Sequence, residues 1–81
     1  MYGSAAQALS ALLSGKVEKS KCKITTMPRQ VRYLENGIEY FAVEVTCETG
    51  SQYGISAYGA EARELYRVAK AEMSKMHMIV P

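Results

Sequence analysis

The segment from Ile38 to Cys47 alternates apolar and polar side chains more regularly than any other part of the chain. Phe41, Val43, Val45 and Cys47 fall at every second position. Because successive side chains of a strand point to opposite faces of a sheet, this spacing places four apolar residues on one side. The pattern therefore predicts a central strand that is buried on one face only.

Two further segments with the same period flank this strand. The first runs from Lys21 to Leu34 and is interrupted by Pro28, which marks a bulge or an edge position because proline cannot donate to a ladder. The turn Asn36-Gly37 follows it. The second segment, Gln52 to Tyr58, follows a turn at Thr49-Gly50-Ser51. The sequence predicts three antiparallel strands in a meander.

The register of the first hairpin can be tested by asking which loop length keeps apolar residues together. A three-residue loop with Gly37 in the left-handed conformation pairs Val31 with Phe41 and Met27 with Val45. A two-residue loop would put polar residues on the apolar face. We therefore expect the three-residue loop.

This register also bears on the two cysteines. It sets Cys47 opposite Thr25 rather than Cys22, so a disulfide is not expected. Two cysteines are too few for a disulfide scaffold, and a core role for both is the expectation. Cysteine usage is thus interpreted as typical of a reducing cytoplasm.

In the second hairpin, a loop of Thr49 to Ser51 sets Val45 opposite Ile55 and Val43 opposite Ala57. On the face away from the core, these registers place Arg32 beside Tyr40. They also place Tyr58 in a row with Gln30 and Ala42, and Glu44 near Ser56.

Helical patterns lie on both sides of the strands. Ser4 to Gln7 matches a capping box and begins a short helix from Ala5 to Ser14, with Gly15 at the left-handed position after its end. After Gly59 an apolar stripe with helical spacing begins. Its central members are Ala62, Leu65, Ala69, Met73 and Met76. The apolar tail, residues 78–81, is expected to be a short extra strand or an unfixed end.

The expected fold class is therefore α+β, with the order αβββα and residues 1–81 as a single domain. The short N-terminal helix lies beside a long C-terminal helix that packs on one face of a three-stranded antiparallel meander. An 81-residue chain has length for one domain. Its 48% hydrophobic content favours a folded globule.

Charge is unevenly distributed along the chain. Between residues 35 and 64 there are six glutamates against Arg63, and the only acid between residues 16 and 32 is Glu18. The basic segment contains Lys16, Lys19, Lys21, Lys23, Arg29 and Arg32. It is either a solvated linker and strand edge or a recognition surface for an anionic partner.

The residues that usually carry catalysis are scarce. His77 is the only histidine, and with Cys22 and Cys47 it forms no metal-ligand spacing. Serine chemistry would need a base and a nucleophile elbow, neither of which is present as a motif. We expect no enzyme activity and no cofactor.

Targeting and membrane signals are also not expected. No apolar run approaches the ~20 residues that span a bilayer. The apolar stretch from Ala5 to Leu13 lacks the preceding cations of a signal peptide. The expectation is a soluble cytoplasmic protein without a membrane partner.

The element order resembles that of the double-stranded-RNA-binding domain over residues 4–76. A local similarity to that family is found in the segment Phe41-Ala42-Val43-Glu44-Val45, followed by Gly54-Ile55-Ser56-Ala57 and a helix from Ala60. The resemblance implies binding of duplex RNA, for which that family uses lysines at the start of the last helix. Here that turn carries Glu61 and Glu64, which would face the phosphates.

In its size, tyrosine content and lack of catalytic motifs, the chain also resembles the small phage-encoded inhibitors of bacterial defence, such as anti-CRISPR proteins. That resemblance is one of class and carries no diagnostic motif. It implies a protein that covers a functional surface of a host complex.

These observations favour a non-catalytic protein-binding module, of the phage inhibitor type. Tyrosine and arginine are enriched in interface hot spots, so the expected partner surface is the exposed sheet face. Its residues are Arg32, Tyr40, Glu44 and Tyr58, which could equally be ordinary cross-strand pairs. Two alternatives stay open. One is a nucleic-acid-binding module that uses the basic segment, and the other is a homo-oligomeric structural subunit, for instance a homodimer.

Overall fold

The computed structural model describes residues 3–77, with the exception of the side chains of Met76 and His77. The apolar tail lies outside the described residues. The elements are α1 (Ala5–Leu13), β1 (Cys22–Thr26), β2 (Arg32–Tyr33), β3 (Glu39–Cys47), β4 (Gln52–Tyr58) and α2 (Ala60–His77).

The strands form a four-stranded antiparallel sheet around β3. Strand β4 pairs with β3 along one side, and β1 and β2 pair with different parts of its other side. Both helices pack on the same face of the sheet, and the α+β prediction with a long C-terminal helix is confirmed. One detail of the meander was wrong: the strand expected between Lys21 and Leu34 is divided into two, because the chain around Pro28 leaves the ladder.

The first hairpin has the predicted three-residue loop. The Leu34 amide donates to the Ile38 carbonyl at 2.9 Å. Gly37 is left-handed, with φ of 85°. Arg32 then faces Tyr40 as expected. Glycine has no Cβ that would clash at positive φ, and for this reason it occupies the last position of the loop.

The register of β1 departs from the prediction. Ile24, rather than Met27, faces Val45, and Cys22 faces Cys47. Extra residues leave the ladder between Thr26 and β2, and a further irregularity lies within β1. The shift is odd, so it moves the apolar pair Cys22 and Ile24 to the core face, where both are buried.

This shift overturns the expectation about the cysteines. Cys22 and Cys47 are joined in a disulfide, with their Cα atoms 3.9 Å apart. The bond links β1 to the end of β3. Cysteine usage therefore no longer argues for a reducing compartment.

The register of β4 also differs, by two residues. Val43 faces Ile55 and Val45 faces Tyr53. The loop has the expected length but begins one residue earlier, because Gly50 is left-handed with φ of 96° and takes the last loop position. An even shift preserves the faces, so the same side chains remain inside.

Helix α2 buries Ala62, Leu65 and Ala69 of its predicted stripe and half-buries Met73, and the side chain of Met76 lies outside the described residues. Ser4 caps α1 by accepting from the Gln7 amide at 3.2 Å. The Gln7 side chain reaches back to the amide of Gly3 rather than to that of Ser4. The core joins α1, the sheet and α2. Its fully covered large side chains are Phe41, Leu9, Leu65, Val43 and Val45.

Candidate functional site

The sheet face opposite the helices is covered by no helix or strand among residues 3–77, and we call it the open face. It is formed by the even-numbered positions of β3 and β4 and by their partners on β1 and β2, because residues opposite each other in a ladder share a face. Its middle consists of small residues, with Ala42 facing Ser56. Its two ends carry different kinds of side chain.

One end carries a row of three residues that the sequence placed on this face. Arg32 faces Tyr40, and Tyr40 faces Tyr58 on its other side. The predicted neighbour of Tyr58 was Ala42, so the row differs by the shift in β4. The two phenol rings are tilted by 44° with centroids 5.1 Å apart. Tyr58 is 58% exposed and Tyr40 is half-buried.

Two apolar residues extend this row toward the first hairpin, and sequence reasoning did not include them. Leu34 and Ile38 face each other across the loop, as their hydrogen bond shows. They are 40% and 44% exposed. The predicted strand from Ile38 to Cys47 and its three-residue loop were the signal that could have found them, because together they place both residues on the face of Tyr40. We call Leu34, Ile38, Arg32, Tyr40 and Tyr58 the hairpin patch.

The other end of the open face is polar. The Thr25 hydroxyl donates to the Glu44 carbonyl and lies 3.3 Å from the Thr46 hydroxyl. The side chain of Glu44 is exposed and faces Thr26 and Gly54 across the ladders. Four positions along β3, roughly 13 Å, separate Glu44 from Tyr40. The structure thus leaves Glu44 on the predicted face but outside the hairpin patch.

Charges around the hairpin patch are unequal. Arg32 is exposed and makes no ion pair with any described residue. On the helix side of the same sheet end, Arg63 pairs with Glu39 at 3.3 Å. Glu39 therefore pairs with Arg63 of α2 rather than with Arg32. The charge of Arg32 is left available to an anionic group of a partner.

The predicted basic segment is not gathered into a single site. Lys16 lines a groove between α1 and α2, and Lys21 and Lys23 line a second groove with Lys75. Arg29 lies with Arg32 at the connection between β1 and β2. Lys19 lies in the loop after α1, in the left-handed conformation with φ of 58°. The cations therefore lie in separate groups rather than on one continuous surface.

Glu18, the single acid of that segment, holds the loop between α1 and β1 against the second hairpin. Its carboxylate accepts from the hydroxyls of Thr49 at 2.9 Å, Ser51 at 3.2 Å, and Tyr53. The hydrogen bond from Tyr53 is the largest cause that lowers the pKa of Glu18, followed by that from Thr49. The same bond raises the pKa of Tyr53. Sequence reasoning missed this contact because it joins distant segments.

Within residues 3–77, no three or more histidine, cysteine or carboxylate side chains are grouped so that they could hold a metal ion. Neither α1 nor α2, within the described residues, is both long and apolar enough to cross a bilayer.

Comparisons with protein-family models, with curated proteins and with solved structures found no match to this chain.

Proposed function

We propose that this chain is a protein-binding module and that the hairpin patch is its partner surface. The observation that carries the proposal is the row Arg32, Tyr40 and Tyr58, continued by the exposed side chains of Leu34 and Ile38. Contiguous exposed apolar residues rimmed by polar ones are typical of interaction sites on small proteins. Arg32, Tyr40 and Tyr58 lie on paired strands. Leu34 and Ile38 lie just outside β2 and β3 and are joined by a backbone hydrogen bond. This backbone pairing limits the conformational entropy lost on binding.

The composition of the patch supports a protein as its partner. Tyrosine buries a large amphipathic area while losing only two side-chain torsions, and arginine can make paired hydrogen bonds to a carboxylate. Leu34 and Ile38 would supply the apolar centre of the contact. The expected partner surface is an apolar ridge with a carboxylate placed to meet Arg32.

We further propose that binding inhibits the partner by covering a functional surface, as in the phage-encoded inhibitors that the chain resembles in class. The host cytoplasm is then the compartment in which it acts. Expression of the chain in a bacterium with an active CRISPR defence tests this part. Restored plaque formation by a targeted phage would support it, and unchanged resistance against every defence type assayed would contradict it.

The surface itself is tested by comparative capture. The chain and its variant with Leu34→Ser and Ile38→Ser are immobilised, exposed to bacterial lysate, and the retained proteins are quantified by mass spectrometry. The matched control carries Thr46→Ala and Gln52→Ala at the polar end of the same face. We expect a partner that the control retains and the patch variant loses by at least about tenfold. Equal retention by both variants would remove the hairpin patch as the binding surface.

A further inference from the structure

The two edges of the sheet differ in how they are protected against pairing with another strand. On the β1 and β2 edge the ladder is broken between the strands, and β1 carries an irregularity of its own. Pro28 lies in the break, and Lys21, Lys23 and Arg29 add positive charge. Interruption, proline and charge are the devices by which proteins prevent edge-to-edge association.

The β4 edge has none of these devices. Strand β4 is seven residues long, contains no charged residue and no proline, and pairs with β3 without irregularity. No described strand pairs with its outer side. An uncharged and regular edge of this length is a template for another strand.

The hydrogen-bond pattern identifies which groups of β4 are available. The Cys47 amide donates to the Ser51 carbonyl, and the Gly59 amide donates to the Glu39 carbonyl. In an antiparallel ladder, hydrogen-bonded pairs alternate with non-bonded pairs. The odd-numbered residues of β4 therefore direct their amides and carbonyls toward β3, and Gln52, Gly54 and Ser56 direct theirs outward.

We propose that β4 pairs antiparallel with β4 of a second copy of this chain, about a twofold axis at Ile55. This register sets Gly54 opposite Ser56 of the other copy, and both are residues whose backbone groups point outward. Each such pair would exchange two hydrogen bonds. The two open faces would then form one continuous surface that carries both hairpin patches.

The side chains of β4 suit this twofold arrangement. Ile55 would meet its own copy as a β-branched pair on the helix side, where it is half-buried in one chain. Tyr53 would lie opposite Ala57, a large residue against a small one. Because the strand is uncharged, the pairing brings no like charges together, whereas a twofold pairing of β1 would bring the lysines of two copies close.

Gly54 is a second observation in favour of an approaching chain. Its φ is outside the left-handed region, and a Cβ built on it would meet no atom within 4 Å. Neither backbone conformation nor packing within the chain therefore requires glycine there. Glycine within a strand often marks a close approach by another backbone.

A second copy fits this edge better than an unrelated strand does. The twofold contact uses the same surface on both chains and closes, so it leaves only the two interrupted edges at the ends of the joined sheet. A contact of one strand edge buries less than about 1,200 Å², so we expect a weak dimer that forms at high concentration.

The test is sedimentation equilibrium of the full chain up to about 1 mM, together with hydrogen exchange of assigned amides by NMR. We expect a dimer, with the Gly54 and Ser56 amides becoming protected as concentration rises. Ser56→Pro removes one outward amide without removing a hydrogen bond to β3, and Ser56→Ala is its matched control. The proline variant should weaken the dimer at least about tenfold, and the alanine variant should leave it unchanged.

Three results would overturn the proposal. The chain could remain a monomer at the highest concentration, or its dimer could have the same affinity with Ser56→Pro. The third is that the Gly54 and Ser56 amides become protected only in the presence of another protein. If the proline variant does not fold, Ser56→Lys and Ser56→Glu replace it. Each alone should be monomeric, and their mixture should dimerise because opposite charges at diagonal positions attract. A mixture that stays monomeric would also overturn it.

The proposal is independent of the partner-binding function. The variant with Leu34→Ser and Ile38→Ser leaves the outward groups of β4 unchanged, so it should dimerise normally even where it loses a captured protein. A dimer lost through this variant but not through Ser56→Pro would assign self-association to the open face and refute the edge pairing.

Discussion

The rings of Tyr40 and Tyr58 lie 5.1 Å apart on neighbouring strands, within a face that the helices leave uncovered. Their contact depends on the register of β3 and β4, which the left-handed Gly50 sets. The pair joins Arg32 to an aromatic surface, and its contribution to folding and to binding can be separated by mutation.

Tyr58→Ala is expected to cost little stability and much partner binding. Because Tyr58 is 58% exposed, the loss should be limited to the aromatic pair, about 1 kcal/mol in the free energy of unfolding. Urea unfolding measures this value. Once a partner is captured, titration calorimetry should show at least about tenfold weaker binding, whereas unchanged affinity would place the partner elsewhere.

The disulfide between Cys22 and Cys47 should contribute about 3 kcal/mol to stability, because it closes a loop with a sequence separation of 25 residues. Replacement of both cysteines by alanine, or reduction of the wild-type chain, should lower the urea midpoint accordingly. A reductant added to the alanine variant serves as the control and should change nothing. Equal midpoints for oxidised and reduced wild-type chain would contradict the prediction.

Glu18 should make stability depend on pH in the acidic range. Its pKa in the folded chain is lowered from 4.5, chiefly by the hydrogen bond from Tyr53. Its contribution is therefore present above about pH 4.5 and is lost as the pH falls through the folded-state pKa. The stability difference between wild type and Glu18→Gln should shrink as the solution is acidified, and Glu48→Gln is the control on the neighbouring loop.

A difference that stayed constant from pH 7 to about pH 2 would show that the carboxylate of Glu18 is not held by these hydroxyls. Tyr53 supplies the complementary result at high pH. Its pKa in the folded chain is raised from 10.0. Its contribution to stability should therefore be present below about pH 10 and be lost as the pH rises through the folded-state pKa.

Two glycines should respond oppositely to alanine. Gly50 has φ of 96°, and alanine there should destabilise the chain by roughly 1–2 kcal/mol. Gly54 has ordinary strand geometry and open space for a Cβ, so Gly54→Ala should be neutral or stabilising by up to about 1 kcal/mol. Thermal unfolding of dilute samples measures both, and a destabilised Gly54→Ala would show that β4 needs this glycine within one chain.

Duplex RNA is expected not to bind, despite the resemblance in element order. Glu61 and Glu64 lie in the first turns of α2, where a phosphate contact would need cations, and the basic residues occupy separate grooves. A gel shift at about 50 mM salt is the measurement, and Glu61→Lys with Glu64→Lys is a variant that should gain affinity. A salt-sensitive shift by wild type would contradict the expectation.

Much of the fold could be predicted from periodicity because a single face or stripe had to be buried in each element. The alternation in β3 involves Phe41, Val43 and Val45, and the helical spacing in α2 involves Ala62, Leu65 and Ala69. All six residues are buried. These patterns depend on local geometry alone. They also located three of the residues of the hairpin patch, Arg32, Tyr40 and Tyr58, on the correct face.

The spacing of apolar residues does not fix which residues pair across neighbouring strands, because this register depends on the exact length of each loop. The rule that a left-handed glycine ends a three-residue loop holds for both Gly37 and Gly50, but the second loop was predicted one residue late. The same rule, applied to Gly50, would have placed Tyr58 beside Tyr40. For β1 no local signal counts how many residues leave the ladder around Pro28, and the disulfide depends on that count.

Apart from the break around Pro28, the sequence by itself determined the order of helices and strands and which side chains of β3, β4 and α2 face the core, because these follow from the spacing of apolar residues along the chain. Tertiary structure alone decided that Cys22 meets Cys47 and that Glu18 binds the hydroxyls of the second hairpin. Each of these contacts joins segments distant in sequence. Their geometry is set by loop lengths and packing that no local pattern encodes.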